Sequence, residues 1–142
     1  MHTIGQLLQS KGTEVATIDQ DATVYEALAR MANKEIGSLV VLKRDKPVGL
    51  ITERDYARNI VLKNRTSKQT KLREIISHHV PVVHPEQSIG DGMAIMTEKR
   101  VRHLPVMREE ALVGIISIGD LVKAIIDDQQ FVIEQLVSYI NS

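Results

Sequence analysis

The chain contains no cysteine. That excludes disulfides, thiolate nucleophiles and zinc-thiolate centres, and it fits a reducing compartment. Tryptophan is also absent and Phe131 is the only phenylalanine, so the aromatic platforms on which single-stranded nucleic acid stacks are missing. Neither sign of charge is in surplus: Lys plus Arg total 18, and so do Asp plus Glu. Broad binding to nucleic acid or to an anionic membrane needs a basic excess; a local cluster around one phosphate does not. No apolar run is long enough to span a bilayer, and residues 1–10 lack the apolar stretch of a signal peptide. The expectation is a cytoplasmic protein with neither nucleic acid nor membrane as partner. What is present is an ordinary globular mixture, 43% hydrophobic and 25% charged over 142 residues. That is enough for one domain with a real core or two very small ones.

The chain is written twice. Val15 aligns with Val80, and that 65-residue offset holds without a gap as far as Asp55 and Asp120. Met31, Leu39, Val41, Gly49 and Ile51 recur as Met96, Leu104, Val106, Gly114 and Ile116. A leader recurs as well, residues 4–8 echoing residues 72–76, but three residues further from its repeat in the first copy.

Each copy reads as strand, helix, strand, strand, helix. Thr23/Glu26 and Ser88/Asp91 have capping-box spacing. Val24, Ala27, Leu28 and Met31 then share one helical face, as do Ile89, Gly92, Met93 and Met96. Residues 38–42 and 48–51 form a predicted hairpin, repeated by 104–107 and 113–116. A second helix starts near Thr52 and near Ser117, and in the second copy it extends into a long amphipathic tail. The expected fold is α/β (α+β): two pseudo-symmetric βαββα repeats packed through their sheets. Repeat 1 spans residues 1–64, a polar linker 65–70, repeat 2 71–127 and a helical tail 128–142. One such unit alone buries too little surface, and pairing supplies a shared core and two equivalent clefts, which favour ligands.

Each Gly-bearing strand runs into the same element, Thr52-Glu53-Arg54-Asp55 or Ser117-Ile118-Gly119-Asp120. Free amides at a helix start attract anions, phosphate above all. A hydroxyl adds a hydrogen bond, and an outward carboxylate can accept both hydroxyls of a ribose. The same spacing is also a plain capping box. Both readings stand on the residues, and one helix start can serve both. In the second copy, Arg102 and His103 open a strand that also carries Pro105. Proline marks an edge or an open groove, arginine a phosphate-matching fork, and histidine a pH-dependent donor. The alternative is a solvated arginine beside a satisfied histidine. Their first-copy counterparts, Gly37 and Ser38, are small and uncharged, so the two clefts differ chemically.

With these strings in view, the chain resembles the tandem CBS domain pair, or Bateman module. The carrying segments are residues 36–41, 47–55, 102–106 and 113–120, and the resemblance covers nearly the whole chain. It looks closest to stand-alone bacterial pairs. The resemblance implies a non-catalytic regulatory module that binds AMP, ADP, ATP or NAD(H), with S-adenosylmethionine as an alternative ligand, and that forms homodimers. It implies that Thr52, Asp55, Ser117 and Asp120 meet ribose and phosphate. It places Ile36, Gly37, Ser38, Val101, Arg102 and His103 at the base. Thr17, Ile18, Val82, Val83 and His84 would wall the adenine, and Arg54, Arg58, Arg102 and His103 are the phosphate cations. Gly119, opposite Arg54 in the repeat, departs from the first copy.

Other signals are structural. His78, His79 and His84 lack carboxylates at coordinating spacing and read as surface histidines, so no metal is expected. The tail is expected to pack on the domain or on a second subunit. No nucleophile elbow, phosphate loop or paired carboxylate appears, so no catalysis is expected. A protein-interaction scaffold with vestigial clefts is the competing function.

Overall fold

Two hydrophobic cores form from matching residues. One holds Ile18, Val24, Met31, Leu39, Val41 and Ile51. The other holds Val83, Ile89, Met96, Leu104, Val106 and Ile116, each 65 residues on. The computed structural model describes residues 2–76 and 80–141. Its packing divides the chain into two units, Val15–Val80 and Met1–Glu14 with Pro81–Ser142. His78 and His79 lie outside the described residues.

In the first unit, strand β1 (Thr17–Asp19) precedes helix α2 (Val24–Lys34), the hairpin β2 (Ser38–Lys43) and β3 (Lys46–Thr52), and the short helix α3 (Glu53–Tyr56). The sheet order is β1-β2-β3, parallel and then antiparallel. Helix α2 forms because Val24, Ala27 and Met31 bury one face, and Thr23 Oγ1 accepts the Glu26 amide at 3.1 Å. The expected reciprocal bond from Glu26 is not made, so this is half a capping box. Arg44 and Asp45 both take left-handed φ, as a two-residue hairpin turn of the primed type requires. After α3 the helix widens into a π turn, Ala57–Val61, which anchors through Ile60.

The polar stretch expected to be a linker is held down. Thr70 is buried, and the Thr70 and Ser67 carbonyls accept the first amides of α2, those of Val24 and Tyr25. Those amides have no partner within the helix, so the strap completes the helix start.

In the second unit, helix α1 (Ile4–Lys11) packs with α4 (Ile89–Lys99), β4 (His103–Arg108), β5 (Ala111–Ser117) and α5 (Ile118–Asn141). The β4–β5 register repeats that of β2–β3 pair for pair, including the bulge. The opening strand does not repeat. It shrinks to a single parallel bridge, Val83 with Val106. Pro105 explains why. Its counterpart Val40 donates to Ala16 O at 3.0 Å, and proline has no such hydrogen. Proline therefore loosens this side of β4, as its position in the run suggested.

The leaders are exchanged between the repeats. Ile76 of the second leader packs on Gly49 of the first repeat, and Leu8 of the first leader packs on Gly114 of the second. Both glycines sit at matching register positions, opposite Val41 and Val106. The tail differs from one half of its expectation. Beyond Ile125 the apolar side chains of helix α5 stay exposed: Phe131, Ile133, Leu136 and Ile140 are all more than half exposed.

Candidate functional site

The two strand-to-helix junctions share one backbone design. Ser38 pairs with Thr52, and His103 pairs with Ser117. At the first junction, Asp55 Oδ2 accepts the Thr52 amide at 2.9 Å and Thr52 Oγ1 at 3.0 Å, while Thr52 Oγ1 accepts the Asp55 amide. At the second, Asp120 Oδ2 accepts the Ser117 amide at 2.8 Å, and Ser117 Oγ accepts the Asp120 amide at 3.1 Å. Both aspartates therefore turn back and cap their helices instead of pointing outward. Each uses one oxygen for this. Among the described residues neither Oδ1 has a hydrogen-bond partner, so each carboxylate keeps one acceptor for a hydroxyl.

The second junction carries a cation that the sequence reading missed. Lys11, the last residue of α1, donates from Nζ to Asp120 Oδ2 at 2.6 Å and to the Ile115 carbonyl at 2.7 Å. Repeat logic held the only available signal. The offset that aligns the leaders sets Lys11 against His79, which lies outside the described residues. The Ile118 amide donates to the Arg102 carbonyl at 2.8 Å and so ties Arg102 to the helix start. Lys11 thus joins Ser117 and Asp120 at the helix start, with His103 paired to Ser117 across the strands and the Arg102 backbone bonded to the first amide of the helix.

Their electrostatics are coupled. Burial alone raises the Asp120 pKa, but bonds from Lys11 and Ser117, with the lysine charge, outweigh it and hold the carboxyl below its ordinary value. Burial lowers the His103 pKa; Lys11 and Arg102 lower it further, and Asp120 opposes them. The folded chain therefore resists protonating His103 where the unfolded chain, near 6.5, accepts the proton. Stability from this group is full above that pH and is lost as pH falls toward the folded pKa. Urea unfolding should therefore show a larger drop between about pH 7.5 and pH 5.5 for the native chain than for His103→Gln. Equal drops would mean that the imidazole titrates freely.

The first junction has Gly37 where the second has Arg102, and a side chain added there would meet nothing within 4 Å. Arg54 and Arg58 are exposed, Arg58 on the π turn. Ile36 and Val101 are half-buried against the cores at matching helix exits.

The expected wall residues differ in exposure. Ile18 and Val83 bury their side chains in the cores. Pro105 is buried, with its carbonyl accepting from the Val83 amide. His84 donates from Nδ1 to the Met107 carbonyl at 2.8 Å. Met107 lies four residues along β4 from His103, about 13 Å away at 3.3 Å per residue, so His84 stands apart from the junction. Thr17 is half-buried with its carbonyl bonded by Arg30, and Val82 is half-buried. A groove of about 520 Å³ in the second unit is lined by Gly5, Leu8, Gln9, Thr13, Pro85, Arg108, Leu112 and Val113. It shares no residue with either junction. Among the described residues no three His, Cys, Asp or Glu side chains cluster as metal ligands, and no helix is long and apolar enough to cross a membrane.

A duplicated unit with two matching strand-to-helix junctions defines a tandem-repeat protein, and comparison supplies the family. The CBS domain model matches twice, over residues 10–62 and 72–127, and the chain belongs to the CBS domain family as a tandem pair. It is similar to a mitochondrial CBS domain-containing protein of Arabidopsis thaliana, CBSX3, at 35% identity over 98% of this chain and 72% of the relative. A CBS-domain protein from Burkholderia ambifaria superposes with a TM-score of 0.84 at 47% identity, covering 89% of this chain and 96% of that one. A hexameric CBS-CP12 protein from bloom-forming cyanobacteria superposes with a TM-score of 0.75 at 28% identity, covering 84% and 69%.

Proposed function

We propose that this chain is a non-catalytic sensor that binds an adenosine nucleotide (AMP, ADP, ATP or NAD(H)) at its strand-to-helix junctions. The Burkholderia relative is described as a candidate signal-transduction protein, which agrees with a regulatory role. The observation that carries the reading is Lys11 on a capped helix start that the Arg102 backbone also bonds, with an aspartate whose Oδ1 has no hydrogen-bond partner among the described residues. Phosphate oxygens suit Lys11, Arg102 and the helix dipole, and a ribose hydroxyl suits Oδ1. His103 is held neutral here, so a phosphate beside it would raise its pKa and draw in a proton.

Calorimetric titration with AMP, ATP, NAD(H) and S-adenosylmethionine tests this. We expect saturable heat with a phosphorylated ligand and much weaker binding of adenosine. Near neutral pH the heat should also change with the ionisation enthalpy of the buffer, which reports proton uptake. Absence of heat and of any melting shift with all four ligands would end the reading. S-adenosylmethionine as the only binder would replace the phosphate assignment.

A second reading is favoured by the inward turn of both aspartates. In a scaffold with vestigial junctions, the boxes would only cap helices, and a partner would bind equally well with and without nucleotide. We also propose a homodimer in a reducing, cytoplasmic compartment. The cyanobacterial relative is a hexamer, so the pair fold is compatible with assembly.

A further inference from the structure

We infer that the outer half of α5 pairs in parallel with the same helix of a second copy. This deepens the homodimer reading and rests on it. The helix is rooted by Leu121 and Ala124, which are buried, and by Ile118 and Ile125, which pack against the same core. Past that point its apolar stripe shifts to an adjacent face and is exposed. Ile126, Ile133 and Ile140 recur every seven residues, and Val122, Gln129 and Leu136 recur at the same interval between them. That is a heptad with isoleucine at each a position and valine, glutamine and leucine at d. β-Branched a with leucine at d favours two parallel strands, and one polar core position sets register.

The face is exposed throughout: Val122 41%, Ile126 57%, Ile133 54%, Leu136 58% and Ile140 77%. Val132 and Val137, at the flanking g and e positions, widen it and are each at least half exposed. Together such side chains present on the order of 600 Å², the low end of what one partner gives a stable interface. Charge agrees with self-pairing. The outer acids Asp127, Asp128 and Glu134 fall at b and c positions, away from the seam, so two copies do not repel along it. No lysine or arginine lies between residues 124 and 141, whereas helices that lie on anionic lipid are rich in both.

Sedimentation of the full chain reads the mass, and Ile133→Asp reads the seam. We expect a dimer whose self-association weakens on the order of a hundredfold in this variant, because the carboxylate would be buried unpaired. The substitution is on an exposed face, so the melting of the separated monomer should stay cooperative. The cysteine-free chain permits a second test, with diamide as the oxidant. Leu136→Cys should crosslink to itself, while Ser138→Cys, on the opposite face, should not. A monomeric native chain would overturn both this pairing and the homodimer. A native dimer that resists Ile133→Asp, or in which Leu136→Cys fails to crosslink, would overturn the pairing alone. Flotation of the native chain with phosphatidylglycerol vesicles as a monomer would assign the face to lipid and overturn it too.

Discussion

Gly49→Val should destabilise the protein by on the order of 2–3 kcal/mol, read as a lower urea midpoint with an unchanged slope. Gly49 lies in β3 opposite Val41, with its backbone pressed against the second leader. A Cβ there would sit 2.9 Å from Ile76 Cβ, 3.2 Å from its Cδ1 and 3.3 Å from its Cγ2. The first of these atoms is fixed to the backbone and cannot swing away, so the leader must shift. At Gly114 the clash is nominally closer, 2.7 Å, but it falls on Leu8 Cδ2, the far end of a flexible side chain. Gly114→Val should therefore cost less than Gly49→Val, although the contact is shorter. Adding Ile76→Ala to Gly49→Val should recover little of the loss, because alanine keeps the Cβ that clashes. Against a total stability of about 5–15 kcal/mol the first effect is large. A Gly49→Val protein with an unchanged midpoint would mean that the leader does not rest on β3 in solution.

Asp120→Ala should weaken nucleotide binding at the second junction by about 10- to 100-fold, the worth of hydrogen bonds to a charged group. It removes the proposed ribose acceptor at Oδ1 and releases Lys11 from Oδ2. Asp55→Ala should act in the same direction at the first junction and leave the second untouched. Each variant also loses one capping box, about 1 kcal/mol of helix stability, so binding is measured well below the melting temperature. Lys11→Met separates the two effects. It keeps the box that Ser117 and Asp120 form and removes only the cation, so it should reduce affinity for ATP more than for adenosine. If all three variants bind like the native chain, the junctions are caps and nothing more.

Much of the fold was legible because the repeat aligns what burial selects. Leu39 with Leu104, Val41 with Val106 and Met31 with Met96 pair in the sequence and occupy equivalent core sites. The hairpins and the helix faces follow from periods of two and 3.6 read within short windows. Even the difference between the two junctions was visible, as Gly37 against Arg102. The site was only partly legible. Ile18 and Val83, which the resemblance implied at an adenine, bury their side chains in the cores. His84, implied beside them, bonds the Met107 carbonyl past the Val83–Val106 bridge.

By itself the sequence determined the family-defining repeat, the hairpins with their preceding helices and the residue types at each helix start. Those follow from local chemistry: propensity, periodicity and the reach of a side chain across three residues. Only the tertiary structure decided that each leader packs against the other repeat, that Lys11 bonds Asp120 across 109 positions of chain, and that the apolar side chains of the tail stay exposed. Those outcomes depend on which surfaces bury which, and long-range burial leaves no mark in the spacing of neighbouring residues.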